Sequence, residues 1–589
     1  MDSSRGVRRP PAIRPVRLTA IAVGLLGTAL AAVPAQAQPS PGLYFWLRQA
    51  LPAEAQPVLA ASPEAPAVPA IPPGSVIGEV RVQAKDIFDS SKPGEDRRLF
   101  RLANRLHRTT RPGVVASQLL FKPGDVFSPE LVEESARLLR TNDYLYDVDI
   151  KPVLRQDGKV DVEVTTRDVW TLEGGLSFSR AGGSNNSSFS LEDSNFLGTG
   201  KEISLSRIGT VDRTSNLVRF RDPNLLGSRV RLTLSYADNS DGGRQRFELE
   251  HPFYSLSSRW AAGLRSFRDE RLETLYKAGK LTTTFRHRHD FVEMFGGLSP
   301  GLVNGVANRW QVGFTYSHDE FDPGPQLFGG GKAFVVPVPV DRTLAYPWVR
   351  FESVQDRFVV ERDLNRMQRS EDLNLGRQFS LLVGLSSPTF GGDGDRWVVQ
   401  SAWSAGWHPG PRQLLLAQGG GATRWASGDA EDLVAGGRVR WYFRDFGNHL
   451  LYASLGADLA HRLDGEDQLL LGGDSGLRGY PLRYQAGDRR VLLTLEQRFF
   501  SDRELFHLAH LGGAVFFDAG QAWFVDTLSS RDTRFQADRR ILKDAGLGLR
   551  LGSSRSSRGG VLHLDVAFPL DGDKSISRVQ YLVSTSDTF

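Results

Sequence analysis

Residues 230–236 read Val-Arg-Leu-Thr-Leu-Ser-Tyr, a run in which apolar and polar side chains alternate strictly. A period of two predicts a β-strand with one apolar face and one polar face. The same alternation returns at 547–551 and at 562–568, close to the end of the chain. We therefore expect a mainly β protein whose strands separate an apolar environment from a polar one.

From residue 168 to residue 589, alternating segments of about ten residues follow one another between stretches rich in Gly, Asp, Ser and Asn. Charged side chains stand in mid-segment, on the parity opposite the apolar ones: Arg231, Glu496, Arg498, Arg550 and Asp565. A polar lumen inside a lipid-facing wall gives this combination in a transmembrane β-barrel. About 420 residues are too many for a single sandwich, and no repeated blade signature indicates a propeller. At roughly 26 residues per strand and connection, the length predicts a 16-stranded antiparallel barrel.

The first 37 residues predict export. Five arginines precede an apolar run at 18–33, and Ala35-Gln36-Ala37 has the form of a cleavage site. This order predicts a secretory signal peptide at 1–37, cleaved near Ala37. A transmembrane anchor is the alternative, but the apolar run is short for a bilayer span.

The amino-acid composition limits the kinds of site and partner that we expect for this chain. The chain has no cysteine, which excludes disulfides, thiolate metal sites and cysteine nucleophiles. Its net charge is only +4, so we expect no nucleic-acid partner.

A linker and a small domain precede the alternating region. Residues 38–74 are rich in Pro and Ala and predict an extended linker. Residues 75–167 predict a compact α+β domain. A strand begins near Val76, and a helix begins after Ser128 with Pro129 in its first position. Asp157-Gly158 then predicts the turn of a β-hairpin.

Three motifs were weighed as sites of chemistry. Gly473-Asp474-Ser475-Gly476 has the spelling of a serine-protease loop, but no histidine stands at a suitable distance before it. Residues 198–201 have the form of the end of a phosphate loop, without its earlier glycine and following hydroxyl residue. His287 and His289 share one face of a strand, but with no clear third ligand we expect a solvated pair. The sequence thus predicts no enzyme, no cofactor and no metal site.

Arg478 is a charged residue whose guanidinium needs hydrogen-bond acceptors. It stands between Leu477 and Gly479-Tyr480 in a long segment between two strands. Glu496 and Asp518 in the following strands could both accept its hydrogen bonds. An exposed loop arginine among turn glycines is the alternative.

These motifs resemble the BamA/TamA family of outer-membrane assembly proteins, the bacterial surface antigen family. Leu477-Arg478-Gly479-Tyr480 is similar to the family's motif at the tip of the sixth extracellular loop. Phe517-Asp518-Ala519-Gly520 is similar to the strand motif whose aspartate meets that arginine, and Glu496 lies in the strand just after the loop. Residues 195–200 and 222–227 look like the family's early barrel hairpins. Residues 75–167 resemble a POTRA domain.

The end of the chain resembles the signal by which outer-membrane barrels are recognised for assembly. Tyr581, Val583 and the terminal Phe589 share one parity of an alternating segment.

The resemblance implies a bacterial outer-membrane barrel with its POTRA domain in the periplasm, acting in insertion or translocation of other proteins. Its expected partners are unfolded outer-membrane or secreted clients, outer-membrane lipid, and periplasmic chaperones or accessory proteins. One POTRA domain is fewer than BamA-like and TamA-like relatives carry. A passive channel or structural barrel is the first alternative. A two-partner-type secretion translocator is the second, although residues 38–74 lack the helix and paired POTRA domains of that branch.

Overall fold

The computed structural model describes residues 71–586, with gaps at 90, 92–95, 97, 278, 326–327, 330–331, 334–337, 366, 368–369, 446, 506–508, 526–539, 554–560, 573 and 575. The predicted signal peptide, most of the predicted linker, and Phe589 lie outside the described residues.

A small α+β domain comes first. Its strands are β1 (Ile77–Lys85), β2 (Leu145–Leu154) and β3 (Val160–Asp168), and its helices are α1 (Arg98–Leu106), α2 (Pro112–Ala116) and α3 (Pro129–Arg140). β3 is the central strand, parallel to β1 and antiparallel to β2, so β1 and β2 form the two edges. Its core contains Ile77, Val115, Leu119, Phe121, Leu139, Tyr144, Leu145, Val148, Val160, Val162 and Val164.

The third helix begins where the sequence predicts. The Ser128 hydroxyl accepts the N–H of Leu131 at 3.3 Å, and Pro129 occupies the first turn, where a missing N–H costs nothing. Arg137 and Arg140 lie in the last turn, where cations suit the helix dipole. Among the described residues, no helix is both long and apolar enough to cross a bilayer.

The remaining long strands form one antiparallel sheet. In chain order they are β4 (Leu172–Ala181), β5 (Ser184–Asp193), β6 (Glu202–Gly209), β7 (Thr214–Asp222), β8 (Arg231–Asn239), β9 (Gly242–His251), β10 (Trp260–Lys277), β11 (Lys280–Leu298), β13 (Val306–Pro323), β16 (Arg342–Gln355), β19 (Gln378–Ser386), β20 (Arg396–Gly410), β21 (Gln413–Ala426), β22 (Asp429–Phe443), β23 (His449–His461), β26 (Arg489–Leu505), β27 (Ala509–Trp523), β28 (Leu542–Ser553), β29 (Val561–Pro569) and β30 (Gln580–Ser586). Short pieces lie between them: β12 (Leu302–Val303), β14 (Phe328–Gly329), β15 (Lys332–Ala333), β17 (Phe358–Arg362), β18 (Ser370–Asn374), β24 (Leu469–Leu471) and β25 (Gln485–Gly487).

The part of the chain that the structure describes thus holds 20 long barrel strands, and the expectation of 16 is too low. The estimate assumed connections longer than many of those present. Gly182 and Gly183 alone join β4 to β5, and residues 427–428 alone join β21 to β22. Both glycines of the first turn have positive φ, +53° and +84°, as such tight hairpins require.

The sheet closes on itself, with β30 beside β4. The predicted two faces are present. Leu234 and Tyr236 are exposed on the outer wall, whereas Arg231 lies on the inner parity and pairs with Glu250 at 3.4 Å. Tryptophans are exposed on the described outer wall: Trp260, Trp310, Trp397, Trp403, Trp407 and Trp425. An apolar, aromatic-rich exterior around a charged interior is the pattern of a transmembrane barrel.

The POTRA-like domain lies against one end of the barrel, called here the proximal end; the other is the distal end. Asp168, the last residue of β3, accepts the N–H of Thr110 at 2.7 Å, and His107 Nε2 lies 2.9 Å from it. Asn195 Nδ2 donates to the Thr110 hydroxyl at 2.8 Å. The carbonyl of Gly198 accepts the N–H of Arg111 at 3.0 Å. Residues 195–200 are therefore a tight turn between β5 and β6 that holds the domain, not a phosphate loop.

Two insertions enter the barrel from opposite ends. Residues 358–374, at the proximal end, form β17 and β18 and are called the proximal hairpin. Leu364, Met367 and Leu375 pack there with residues of the inner wall, among them Tyr442 and Leu450. Residues 462–488, at the distal end, contain the pair β24–β25 and are called the distal loop. The candidate site lies where the distal loop meets the wall.

Candidate functional site

The distal loop folds inward and buries its apolar side chains. Leu477 and Tyr480 are fully buried and pack with Leu471, Tyr484 and Leu492. This apolar anchor places the polar side chains of the loop against the strands beneath. The alternative that Arg478 is an exposed loop arginine is therefore wrong.

Arg478 binds two wall carboxylates. Its Nε and Nη2 donate to the two oxygens of Asp518 at 2.7 and 3.0 Å, and its Nη1 donates to Glu496 at 3.0 Å. The guanidinium carbon lies 3.4 Å from the ring centre of Phe516, a cation–π contact. Fork-to-carboxylate pairing is specific to arginine, since lysine has no planar pair of donors. The side chain of Asp518 is completely buried, so this pair is shielded from solvent.

Two glycines allow the loop to approach so closely. A Cβ on Gly479 would stand 2.6 Å from the Cβ of Asp544, on β28. Gly476 has φ +113°, and a Cβ there would stand 2.3 Å from the side chain of Leu492. A side chain at Gly479 would force the loop off the wall, and one at Gly476 would strain the backbone and displace the side chain of Leu492.

Tyr480 fixes the loop on the other side of Arg478. Its hydroxyl lies 2.8 Å from the carbonyl oxygen of Lys543 and 3.0 Å from that of Asp571. The N–H of Lys543 donates to the same hydroxyl at 3.2 Å. These backbone partners belong to β28 and to the turn after β29, so the loop ties neighbouring hairpins together.

The wall beneath Arg478 connects the two insertions. Glu496 also accepts the Nε of Arg498 at 3.1 Å, and Arg498 donates from Nη1 to the carbonyl of Leu364 at 2.6 Å. Leu364 belongs to the proximal hairpin. A chain of charge-assisted bonds on β26 therefore runs from the distal loop to the proximal hairpin.

The sequence did not indicate that Asp565, Phe516 and the proximal hairpin belong to this site. Asp565 lies 3.8 Å from Arg478 and hydrogen-bonds with Arg550, and Phe516 lies under the guanidinium. Asp565 and Arg550 are mid-strand charges in the sequence, and this is the signal that could have placed Asp565 near Arg478. The inward course of the proximal hairpin had no such signal.

The other residues named from the sequence occupy simpler positions. Gly520 faces the lumen beneath the distal loop, with Leu471 close by, whereas Phe517 is on the opposite parity. Tyr581 is exposed, and Val583 pairs with Arg180 across the closure. Ser475 bonds within its own turn, its hydroxyl accepting the N–H of Gly472 at 2.8 Å.

The histidine pair is not solvated. His287 and His289 are both buried, and both contact Asp319, which comes from the neighbouring strand β13. The expectation failed because cross-strand register brings Asp319 to two histidines that are 32 and 30 residues away in sequence.

A comparison with known protein families identifies the small domain. The POTRA family, described as a surface antigen variable number repeat, matches residues 107–167. The chain therefore carries one POTRA domain, as predicted, and this supports its resemblance to the BamA/TamA family.

A search of curated proteins found no match. Solved structures that are similar include BamA from Haemophilus ducreyi lacking POTRA domains 1–3, with 13% identity and a TM-score of 0.38, covering 87% of this chain and 85% of that one. CdiB from Escherichia coli has 14% identity and a TM-score of 0.41, covering 88% and 77%. CdiB from Acinetobacter baumannii has 11% identity and a TM-score of 0.40, covering 87% and 73%.

Proposed function

We propose that this protein inserts or translocates other proteins at the bacterial outer membrane, acting by strand exchange rather than by bond chemistry. The observation that carries the proposal is the seam where the barrel closes. Among the described residues, β30 and β4 share one residue pair, Val583 with Arg180, whereas β29–β30 has seven pairs and β4–β5 has ten. Unpaired backbone groups at such a seam are a template for another strand.

The POTRA domain supplies a second strand template at the proximal end. β2 is an edge strand, paired only with β3 in the sheet. An extended client segment adds to such an edge through main-chain hydrogen bonds. In this proposal the domain faces the periplasm, receives unfolded outer-membrane or secreted clients there, and passes them to the seam. Periplasmic chaperones or accessory proteins deliver the clients.

The distal loop then has a supporting role. Arg478, bound to Asp518 and Glu496, holds β26 and β27 in a fixed relation while the seam accepts a client strand. Leu477, Gly479 and Tyr480 are positioning residues for that contact. The C-terminal residues Tyr581, Val583 and Phe589 serve the assembly of the barrel itself.

A disulfide across the seam tests the proposal. The chain contains no cysteine, so Val583→Cys with Arg180→Cys introduces one defined bond. We expect the locked protein to lose assembly activity, read as a fall in other outer-membrane barrels after depletion of the parent, and a reductant to restore it. His563→Cys with Ser584→Cys, a pair within the β29–β30 hairpin, is the matched control. Normal barrel levels with the seam locked would contradict the proposal.

The passive-channel alternative predicts a large, steady current in planar bilayers. Both insertions occupy the lumen, which argues against free diffusion of solutes. A solute-selective current in the parent, with no effect of depletion on other barrels, would support the channel instead.

A further inference from the structure

Three buried side chains converge on the inner wall near the distal end of the barrel. His287 and His289 lie on β11, and Asp319 lies on β13 directly across from His289. One ligand atom from each lies within 4.8 Å of the others. His287 Nε2 and His289 Nδ1 lie 3.0 and 2.5 Å from the same oxygen of Asp319. In the described part of the chain, no other three side chains of ligand type come together in this way.

We propose that His287, His289 and Asp319 form a binding site for a divalent transition-metal ion of the Zn²⁺ class. Two imidazole nitrogens and one carboxylate oxygen are a set that zinc accepts, with further positions left for water or another ligand. Ligands at 2.0–2.1 Å from a tetrahedral ion lie roughly 3.3 Å from one another. All three donor atoms already lie within 4.8 Å of one another, so side-chain rotations alone would be needed to surround an ion.

The residues around the three ligands orient them. Glu273 Oε1 lies 3.3 Å from His287 Nδ1, which fixes the ring and leaves Nε2 directed at Asp319. The second oxygen of Asp319 accepts Nη2 of Arg342 at 3.0 Å. The ring of Phe321 stacks on His287 at 4.4 Å. Carboxylate-to-histidine contacts of this kind support metal ligands in other proteins.

Carboxylates outnumber guanidiniums in the ion pairs around the cluster. The ion pairs that connect to this cluster join six carboxylates to four guanidiniums: Asp269, Glu273, Asp319, Asp432, Asp464 and Glu466 with Arg244, Arg271, Arg342 and Arg424. A hydrogen-bonded histidine–carboxylate cluster that holds no ion is the competing explanation, and the experiment must separate the two.

Charged pairs also lie on the outer wall beside the cluster. On the outer wall at the same level, Arg286 pairs with Glu270 at 2.7 Å and Arg288 pairs with Glu320 at 2.6 Å. Charged pairs on the outer face do not suit lipid, so this part of the wall extends beyond the membrane. Arg342 links Asp319 onward to Asp464 of the distal loop at 2.7 Å. Arg342 therefore connects the proposed site to the distal loop.

Titration of the full-length protein in detergent tests the proposal directly. After removal of metals with a chelator, we expect Zn²⁺ to bind with one ion per chain by calorimetry. Co²⁺ should give visible absorption bands of a low-coordinate site. Cu²⁺ should show coupling to two imidazole nitrogens in its electron paramagnetic resonance spectrum. Absence of saturable one-to-one binding in the parent would overturn the proposal and leave a histidine–carboxylate hydrogen-bond network.

Variants locate the ion. His289→Ala and Asp319→Asn should abolish one-to-one binding, and Glu273→Gln should weaken it by about 10–100-fold, as for other residues that orient a ligand. His318→Ala is the matched control, because His318 lies beside Asp319 on β13 but contacts Thr343 instead. Unchanged Zn²⁺ affinity in His289→Ala and Asp319→Asn would overturn the proposal.

Folding is checked by heat-modifiable migration on gels. If Asp319→Asn does not fold, the Cu²⁺ spectrum of the parent decides. Two coupled nitrogens support the site, and none or one overturns it.

Discussion

Arg478 and Asp518 form a two-bond fork, at 2.7 and 3.0 Å, between the distal loop and strand β27. The two residues are 40 apart in sequence, and the carboxylate has no exposed surface. A pair of this kind costs desolvation of both partners, so its net stabilisation is modest, yet breaking it on one side is expensive. Its value lies in defining one position for the loop.

Arg478→Ala should destabilise the folded barrel by about 3–5 kcal/mol, because it leaves buried carboxylates without a counter-charge. Arg478→Lys should recover only part of this loss, since lysine cannot form the fork. Asp518→Asn should give a related defect. Urea unfolding in detergent, followed by gel migration, measures the difference. The control is Arg462→Ala, an exposed arginine of the same loop, which should change little. A midpoint for Arg478→Ala equal to that of the parent would show that the fork does not hold the loop.

Gly479→Ala should displace the loop without removing any polar contact. The new Cβ would lie 2.6 Å from the Cβ of Asp544, and overpacking of this kind costs about 1–3 kcal/mol. Gly465→Ala is the matched control in the same loop, because a Cβ there meets Pro339 at an ordinary 3.4 Å. Protease digestion of the distal loop on intact cells reports the displacement. Equal cleavage of the two variants would mean that the close approach at Gly479 is not required.

The sequence predicted what depends on local pattern. Strict alternation, as at Leu234 and Tyr236, determines which face of a strand is outside, so the barrel and its two faces followed from it. The cap of α3 at Ser128 was readable for the same reason. The number of strands was not, because two-residue turns and long loops look alike in composition. The pairing of Arg478 with Asp518 could be predicted because both residues lie in recognisable motifs. The contact of Asp319 with two histidines could not, because it depends on cross-strand register, which no spacing along the chain encodes.

The course of the proximal hairpin was unpredictable for another physical reason. Residues 358–374 carry apolar side chains that suit a lumen wall as well as they suit a separate small sheet. Only the contacts of Leu364 and Met367 with the wall decide between these two positions.

The contribution of Asp147 to the stability of the small domain should fall as pH rises from acid. Burial raises the pKa of Asp147, and the neighbouring Asp149 acts in the same direction. A group whose pKa is higher in the folded state binds its proton more tightly there, so folding is favoured below the unfolded value of about 3.9 and this advantage is lost as pH rises through the raised value. Asp147→Asn should therefore protect β2 from hydrogen exchange more than the parent does at neutral pH, and the two should converge in acid. Asp157→Asn, in the exposed hairpin turn, serves as control. A constant ratio of exchange rates at all pH values would contradict the assigned cause.

Glu134 clamps the POTRA domain to the barrel. Its carboxylate accepts the N–H of Leu256 at 2.7 Å and the hydroxyl of Ser257 at 2.9 Å, in the turn between β9 and β10. Glu134→Gln should weaken the clamp by about 1–3 kcal/mol, since it removes the charge from both bonds.

Spin labels at Val126→Cys and Val303→Cys measure the result, because the parent chain has no cysteine. We expect a broader distance distribution in Glu134→Gln. Glu133→Gln, one residue earlier and exposed, should retain the parent distribution. A distribution that stays narrow in both variants would show that other contacts hold the domain.

The proximal hairpin should close the barrel to ions. A barrel of 16–18 strands already leaves an aqueous channel. A barrel with the 20 long strands of the described residues would therefore conduct ions unless its lumen is blocked. Leu364 and Met367 of the proximal hairpin, together with Leu375, pack against the inner wall and can supply that block. Replacing residues 358–374 with a short Gly-Ser turn should therefore produce large conductance steps in planar bilayers that the parent lacks. Leu364→Ser should produce intermittent openings, because loss of a buried leucine costs about 2–5 kcal/mol and loosens the hairpin. Val360→Ser, at an exposed position of the same hairpin, should leave the trace unchanged. Equal conductance of the parent and the hairpin-deleted protein would place the barrier elsewhere, with the distal loop as the next segment to remove.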